Sequence, residues 1–224
     1  MLDDIIKAYN EAVFETDRDA AFEVVARAID HGLTPEDVVF KVVIPAVEEM
    51  MAGITRNPDQ NLAQHFMTAQ IAAEVTDAML KRFVHPPEVI GRVVISTALG
   101  DLHSLGKRIV MGCLKALMVE VIDLGVNVPA ERFVDEAVAH GAQVIAVSAM
   151  MVHTAMGEQG CRRVRELLRE RDLERRVKLV VGGAPYRFDD QLYLQVGADG
   201  WAADGIAAGR MIVDLIKATK AEQP

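Results

Sequence analysis

Cysteine is scarce in this sequence: 224 residues hold two, Cys113 and Cys161. They lie far apart, both in helical patterns, and form no pair at metal-ligand spacing. They are read as reduced thiols of a cytoplasmic protein, with no disulfide framework. A basic excess is missing as well. Lys and Arg number 24 against 33 Asp and Glu, for a net charge of -9, which argues against nucleic acid as a partner because phosphate binding needs a basic face. No apolar run approaches a membrane span. The opening "MLDDIIKAYNEAVFE" carries early acids and no apolar core, so it is not read as a signal peptide. Internal repeats and low-complexity tracts are absent too. What remains is the balance of a globular protein, half hydrophobic and a quarter charged, long enough for one large domain or two small ones.

Two rhythms divide the chain. Residues 1 to about 84 show only helical periodicity. "TDRDAAFEVVARAIDHG" opens on cap-type residues and stops at Gly32. "TPEDVVFKVVIPAVEEMMAG" has Thr34 as N-cap, Pro35 in the first turn, acids at Glu36 and Asp37, and a kink expected at Pro45. "NPDQNLAQHFMTAQIAAEVTDAMLKRF" reads as a long fourth helix, and short connections suggest an antiparallel four-helix bundle. "VHPPEVIGR" then marks a stiff linker at 85–88, with Pro86 and Pro87 as a pivot.

From residue 89 to 224 the pattern alternates. "VVIST", "EVIDL", "VIAVS", "KLVVGG" and a short "GW" are strand candidates. Helices are expected at Lys107 to about Val119, Ala130 to His140, Met156 to Arg171, Asp189 to Val196 and Ile206 to about Ala221. Such alternation implies a parallel sheet covered on both faces. Five strands in this length predict a flavodoxin-like doubly wound sheet of order 2-1-3-4-5. Ligands of such sheets bind beyond the carboxyl ends of the strands, at the switch point between the first and third. The loops meeting there are "ALGDLHSLG", "SAMMVHT" and "GGAPY". A lone loop histidine, a glycine pair or a strand-end serine is each ordinary by itself. Their convergence by topology is what makes them candidates.

Asp101 is near enough to His103 to bond its ring within one loop, as the carboxylate partners of metal-bound histidines do. No second or third protein ligand accompanies it, whereas a zinc site wants three or four. One histidine suffices only for a metal whose other positions are filled, inside a macrocycle.

Here the sequence resembles a family. "DLHSLG", "SAM" and "GG" are similar to the Asp-x-His-x-x-Gly, Ser-x-Leu and Gly-Gly signature of cobalamin-binding domains. The resemblance extends over "VIDLGVNVPAERFVDEAVAHGAQVIAVSAMM", "VGGAPY" and "GADGWAADGIAAG", and to "VIPAVEEM" in the helical half. The layout resembles the corrinoid proteins of methyltransferase systems and the matching module of methionine synthase. It implies an α/β fold in which an N-terminal four-helix bundle, residues 1–84, caps a cobalamin-binding Rossmann-like domain, residues 89–224. The corrin ring would lie between them.

The resemblance also assigns roles. His103 becomes the lower ligand of cobalt, with Asp101 bonded to it and Thr154 extending the relay; these three are the expected catalytic residues. Cofactor contacts are implied at His103, Ser104, Leu105, Gly106, Ser148, Met150, Thr154, Gly182, Gly183, Ala184, Gly200 and Trp201. Ser148 would bond the buried base of the nucleotide tail, and Gly106, Gly182 and Gly183 would line its slot. Leu62, Phe66 and Met67 would shield the upper face; ordinary bundle core is the competing reading. Met150 replaces the signature leucine, a soft swap, and Ser104 stands where an acid commonly follows the histidine.

The implied function is a methyl carrier using a cobalamin or related cobamide, serving a substrate-specific methyltransferase, an acceptor methyltransferase and a reductive activase. No nucleic acid or membrane partner is expected. A corrinoid sensor of light or ligands is the alternative. Such sensors usually place a DNA-binding domain before the bundle, whereas this chain opens on the bundle and is acidic. A mutase small subunit would lack the bundle. The charge run "CRRVRELLRERDLERRVK" reads as a solvated helix face or, less simply, a docking patch.

Overall fold

The computed structural model describes residues 1–56, 62–84 and 88–221. The chain forms two compact units, Met1–Glu88 with Gly112–Met118, and Val89–Met111 with Val119–Pro224. Pro86 and Pro87, the expected pivot, lie outside the described residues.

The first unit is built from α1 (Leu2–Phe14), α2 (Arg18–Asp30), a composite run of α3 (Pro35–Asp37), a π-helical stretch (Val38–Val43) and α4 (Ile44–Arg56), and α5 (Leu62–Leu80). Two of the starts are written in the sequence. Asp17 accepts the Ala20 N–H, and Thr34 and Asp37 form a reciprocal capping box ahead of Pro35. Pro45 lies just after the π-helical stretch, where the Ile44 N–H reaches back five residues to Val39 O. Proline lacks the donor that would bond Lys41 O, and its ring crowds that carbonyl. The wider turn is a recognised way to take up such a misfit. Tyr9, Val24, Val39, Val43 and Val75 are buried in this unit.

The second unit holds a five-stranded parallel sheet of order β2-β1-β3-β4-β5, as expected. The strands are β1 (Arg92–Thr97), β2 (Glu120–Asp123), β3 (Val144–Ser148), β4 (Lys178–Gly182) and β5 (Gly200–Ala202). Val93, Val94, Ile145 and Leu179 are fully buried, so the central strands are covered on both faces. Each such side chain contributes roughly 1.5–3 kcal/mol by burial. The edge strand β2 stays half exposed.

The helices are α6 (Leu105–Ala116), α7 (Ala130–His140), α8 (Val152–Met156), α9 (Cys161–Glu170), α10 (Ala184–Phe188), α11 (Leu192–Gln195) and α12 (Gly205–Ala221). Two expected helices are shorter than predicted. The one from Met156 to Arg171 begins only at Cys161 as α9, after a break that separates it from α8, and the one near Asp189–Val196 is α11, with α10 lying ahead of it. Gly157 and Gly160 account for the break: a Cβ at Gly160 would lie 2.6 Å from Thr154 O. No helix among the described residues is long and apolar enough to cross a membrane.

Candidate functional site

The register aligns the strand ends. Thr97 pairs with Ser148, Ser148 with Gly182, and Gly182 with Ala202. With adjacent strands about 4.8 Å apart, the three expected loops leave the sheet side by side.

Asp101 is the hub of the first loop, and its side chain is 1% exposed. Its Oδ1 accepts the His103 backbone N–H at 2.9 Å and faces His103 Nδ1 at 2.9 Å. Its Oδ2 accepts the Met150 N–H from the loop after β3. Thr154 Oγ1 lies 3.3 Å from the same Oδ2 but 2.8 Å from Met151 O. A hydroxyl has one proton, so Met151 O is the shorter and better acceptor, and the link to Asp101 is the longer branch. Burial alone would raise the Asp101 carboxyl above its ordinary range. The Met150 and His103 N–H groups and the His103 ring outweigh it and hold the group below that range.

A carboxylate on Nδ1 selects the tautomer whose Nε2 carries the free lone pair. The His103 side chain is 54% exposed, and among the described residues Nε2 meets no protein hydrogen-bond partner. No three His, Cys, Asp or Glu side chains among the described residues converge on a metal position. His153 is exposed on α8 and joins no such group. The donor set therefore suits one bond to a metal whose remaining positions come with it.

The glycines divide by environment. A Cβ at Gly106 would meet nothing within 4 Å, and one at Gly182 would meet only Ala202 O at 4.0 Å. Both border open space, as a slot for an extended ligand requires. Gly183 differs: its φ is +118°, and a Cβ would lie 2.0 Å from Ala149 O. Only glycine allows the loop after β4 to pass that close to the loop after β3. Gly200 has a packing role, since a Cβ there would strike Met211 Sδ at 2.6 Å. Gly200 and Trp201 lie lower in β5 than the row of strand ends, and Trp201 packs on the sheet core. Ala184 is half-buried at the start of α10, and Ser104 and Ser148 are half-buried. In the first unit Phe66 is half-buried and Met67 exposed; the Leu62 side chain lies outside the described residues.

The loops also expose apolar side chains that the motif reading missed. Leu99, Leu102, Met151 and Val152 join Leu105 and Met150 as large hydrophobics exposed to solvent. Such surface on loops is characteristic of binding. Three consecutive apolar residues in a loop, Met150 to Val152, were the available signal. Lys107 was missed too. It is buried, with Nζ 2.5 Å from Asp123 Oδ1 and 2.7 Å from Gly125 O.

Comparison with known proteins identifies the family and the fold. Residues 91–209 match the model of the B12 binding domain. The chain is 32% identical over 191 residues to trimethylamine corrinoid protein 1 of Methanosarcina mazei, covering 84% of this chain and 86% of that one. It is 30% identical over 220 residues to the dimethylamine corrinoid protein of Methanosarcina barkeri, covering 96% and 98%. A cobalamin-binding protein from Desulfitobacterium hafniense has the same fold, with TM-score 0.74 at 21% identity over 94% of this chain and 98% of that one. So does a chain of the methanol:cobalamin methyltransferase complex of Methanosarcina barkeri, with TM-score 0.75 at 24% identity over 96% and 80%. A sheet ending in an aspartate-held histidine, beside glycines that leave a slot open, thus coincides with the family match, and the chain belongs to the corrinoid proteins of the B12-binding domain family.

Proposed function

We propose that this chain is a corrinoid methyl carrier, taking a methyl group from a substrate-specific methyltransferase and yielding it to an acceptor methyltransferase. The observation that carries the reading is the buried Asp101 carboxylate, which fixes His103 through Nδ1 and leaves Nε2 facing outward. The bound corrinoid would supply the cobalt centre that takes up and releases the methyl group; the protein supplies binding, orientation and access.

In this reading His103 Nε2 would hold the cobalt of the corrinoid, Asp101 holds the ring, and Thr154 supports the relay. Gly106 and Gly182 border the slot for the nucleotide tail, Gly183 lets the two loops beside it pass close together, and Ser148 would hydrogen-bond the base of the tail. Ser104, Leu105, Met150 and Ala184 flank the cofactor with Leu102, Met151 and Val152. The methylamine corrinoid proteins among the relatives support a methyl carrier. A reductive activase completes the set of partners, and the two buried cysteines, neither in a disulfide, suit a cytoplasmic setting.

The test is reconstitution with hydroxocobalamin. One corrinoid per chain and a spectrum with protein histidine on cobalt are expected. A spectrum with the cofactor's own benzimidazole still on cobalt overturns the assignment of His103.

A further inference from the structure

The loop between β2 and α7 touches the histidine loop at two places. At one end Asn127 Oδ1 accepts the Gly100 N–H at 2.6 Å. The Asn127 N–H donates to Thr97 Oγ1 at 2.8 Å and to Asp101 O at 3.1 Å. The Thr97 hydroxyl in turn donates to Asp101 O at 2.5 Å. At the other end the buried Lys107 binds Asp123 and Gly125 O, and Ser96 Oγ also donates to Gly125 O at 2.8 Å. The segment 102–106, with His103 in it, is strung between these anchors.

Asn127 achieves its contacts from an unusual backbone. Its φ is +60°, a left-handed conformation that asparagine tolerates better than most residues. Its side chain is solvent-exposed, so core packing does not explain it. What it does is fix the main chain of Gly100 and Asp101, the residues whose placement sets the carboxylate under the imidazole.

We propose that Asn127 is a positioning residue for the cobalt-ligating histidine: it clamps the Gly100–Asp101 backbone so that His103 Nε2 is presented at the depth a corrinoid requires. The proposal rests on the reading of His103 as the lower ligand. Asn127 touches neither cofactor nor substrate in this role; it acts through Asp101.

The test uses the full chain, labelled with 15N-histidine and loaded with hydroxocobalamin reduced to the cobalt(II) state. The readout is the superhyperfine splitting in electron paramagnetic resonance, which distinguishes a 15N imidazole on cobalt from benzimidazole or no nitrogen. Asn127→Gly keeps the backbone conformation and N–H but removes Oδ1. Asn127→Asp keeps an acceptor and a side chain tolerant of that conformation.

The wild type should show the 15N splitting, and Asn127→Asp should match it. Asn127→Gly should bind one corrinoid per chain with affinity lower by about three- to tenfold, the scale of one hydrogen bond, and lose the splitting in most molecules. Retention of full splitting and affinity in Asn127→Gly overturns the clamp, as does an Asn127→Asp protein that behaves like the glycine variant. A wild type without 15N splitting overturns instead the histidine-ligand reading beneath it. Should Asn127→Gly not fold, Thr97→Val removes the hydroxyl from the same clamp while keeping its shape. It must then lose the splitting, and its retention counts against the proposal.

Discussion

At the scale of single residues, the site separates groups that hold the protein from groups reserved for a ligand. Gly183 and Gly106 are the clearest pair. Gly183→Ala must accommodate both a positive φ and a Cβ 2.0 Å from Ala149 O, so it should cost about 3 kcal/mol or more. Gly106→Ala meets no atom within 4 Å and lies in the first turn of α6. The ligand-free protein should keep or gain up to about 1 kcal/mol, since alanine favours helix, while corrinoid affinity falls. Urea denaturation and a hydroxocobalamin titration separate the two; equal affinity in Gly106→Ala would mean that the slot lies elsewhere. Asp101 gives a pH signature. Its carboxyl is held below the ordinary range, so its contribution to stability is full above the unfolded value of about 3.9 and fades as pH falls through the lower folded value. Asp101→Asn should be less stable near neutrality by about 1–3 kcal/mol, because two backbone N–H groups lose a charged acceptor. The gap to wild type should narrow on acidification, as denaturation midpoints at several pH values will show. Asp101 and His103 were legible because a carboxylate two residues before a histidine can reach its ring. Asn127 was not: its side chain bonds a main-chain N–H of another loop, and a backbone partner leaves no pattern in the sequence.

At the scale of elements, what could be read depended on whether local rules governed the outcome. The β-branched runs and the Thr34 cap follow from alternation and capping, and the observed strands and helix start agree. Helix lengths were less legible. The pattern predicts one helix from Met156 to Arg171 after a loop, yet the chain forms α8 and then α9 because Gly157 and Gly160 let it turn where a Cβ would strike carbonyls. The break matters to the site because it sets α8, and with it Thr154, beside Asp101. Gly160→Ala would place a Cβ within 2.7 Å of both Thr154 O and Ala155 O. It should destabilise by about 1–3 kcal/mol, as overpacking does, and blur the α8–α9 junction. Hydrogen exchange at the Thr154 and Ala155 amides, both bonded to Met151 O, should quicken in this variant beyond the rise expected from its lower global stability. A uniform rise would show that α8 is held by something other than the break.

At the scale of the whole molecule, the change of rhythm near residue 85 predicts two parts, and the chain clusters into two units. The inclusion of Gly112–Met118 with Met1–Glu88 was not foretold. Helix α6 is continuous in pattern across that point, and which part a helical turn groups with is decided by tertiary packing that periodicity does not encode. Both units share one liability, an acid buried in its neutral form. In the second unit burial pushes the Cys161 thiol up to about 12, and Tyr186 beside it is also raised by burial. In the first unit burial raises Tyr9, whose hydroxyl is buried without a hydrogen-bond partner among the described residues. The sign follows from proton counts. Above about pH 9 the unfolded chain loses the Cys161 proton while the folded chain keeps it, so the unfolded state binds fewer protons and stability falls as pH rises. The stabilisation is intact below the unfolded value and is lost toward the folded one, at about 1.4 kcal/mol per pH unit for each group that differs. The two tyrosines add to the slope from about pH 10. Urea midpoints should therefore stay nearly level from pH 7 to 9 and fall with increasing steepness above that. Cys161→Ala removes the first of these groups. Whatever it costs in packing, its curve should descend less steeply than that of the wild type between pH 9 and 10. Because Cys161 packs with Tyr186 in the sheet-bearing unit and Tyr9 belongs to the other, the remaining descent above pH 10 should appear in probes of both units. If wild type and Cys161→Ala fall in parallel between pH 9 and 10, the buried thiol is not the group that starts the alkaline decline.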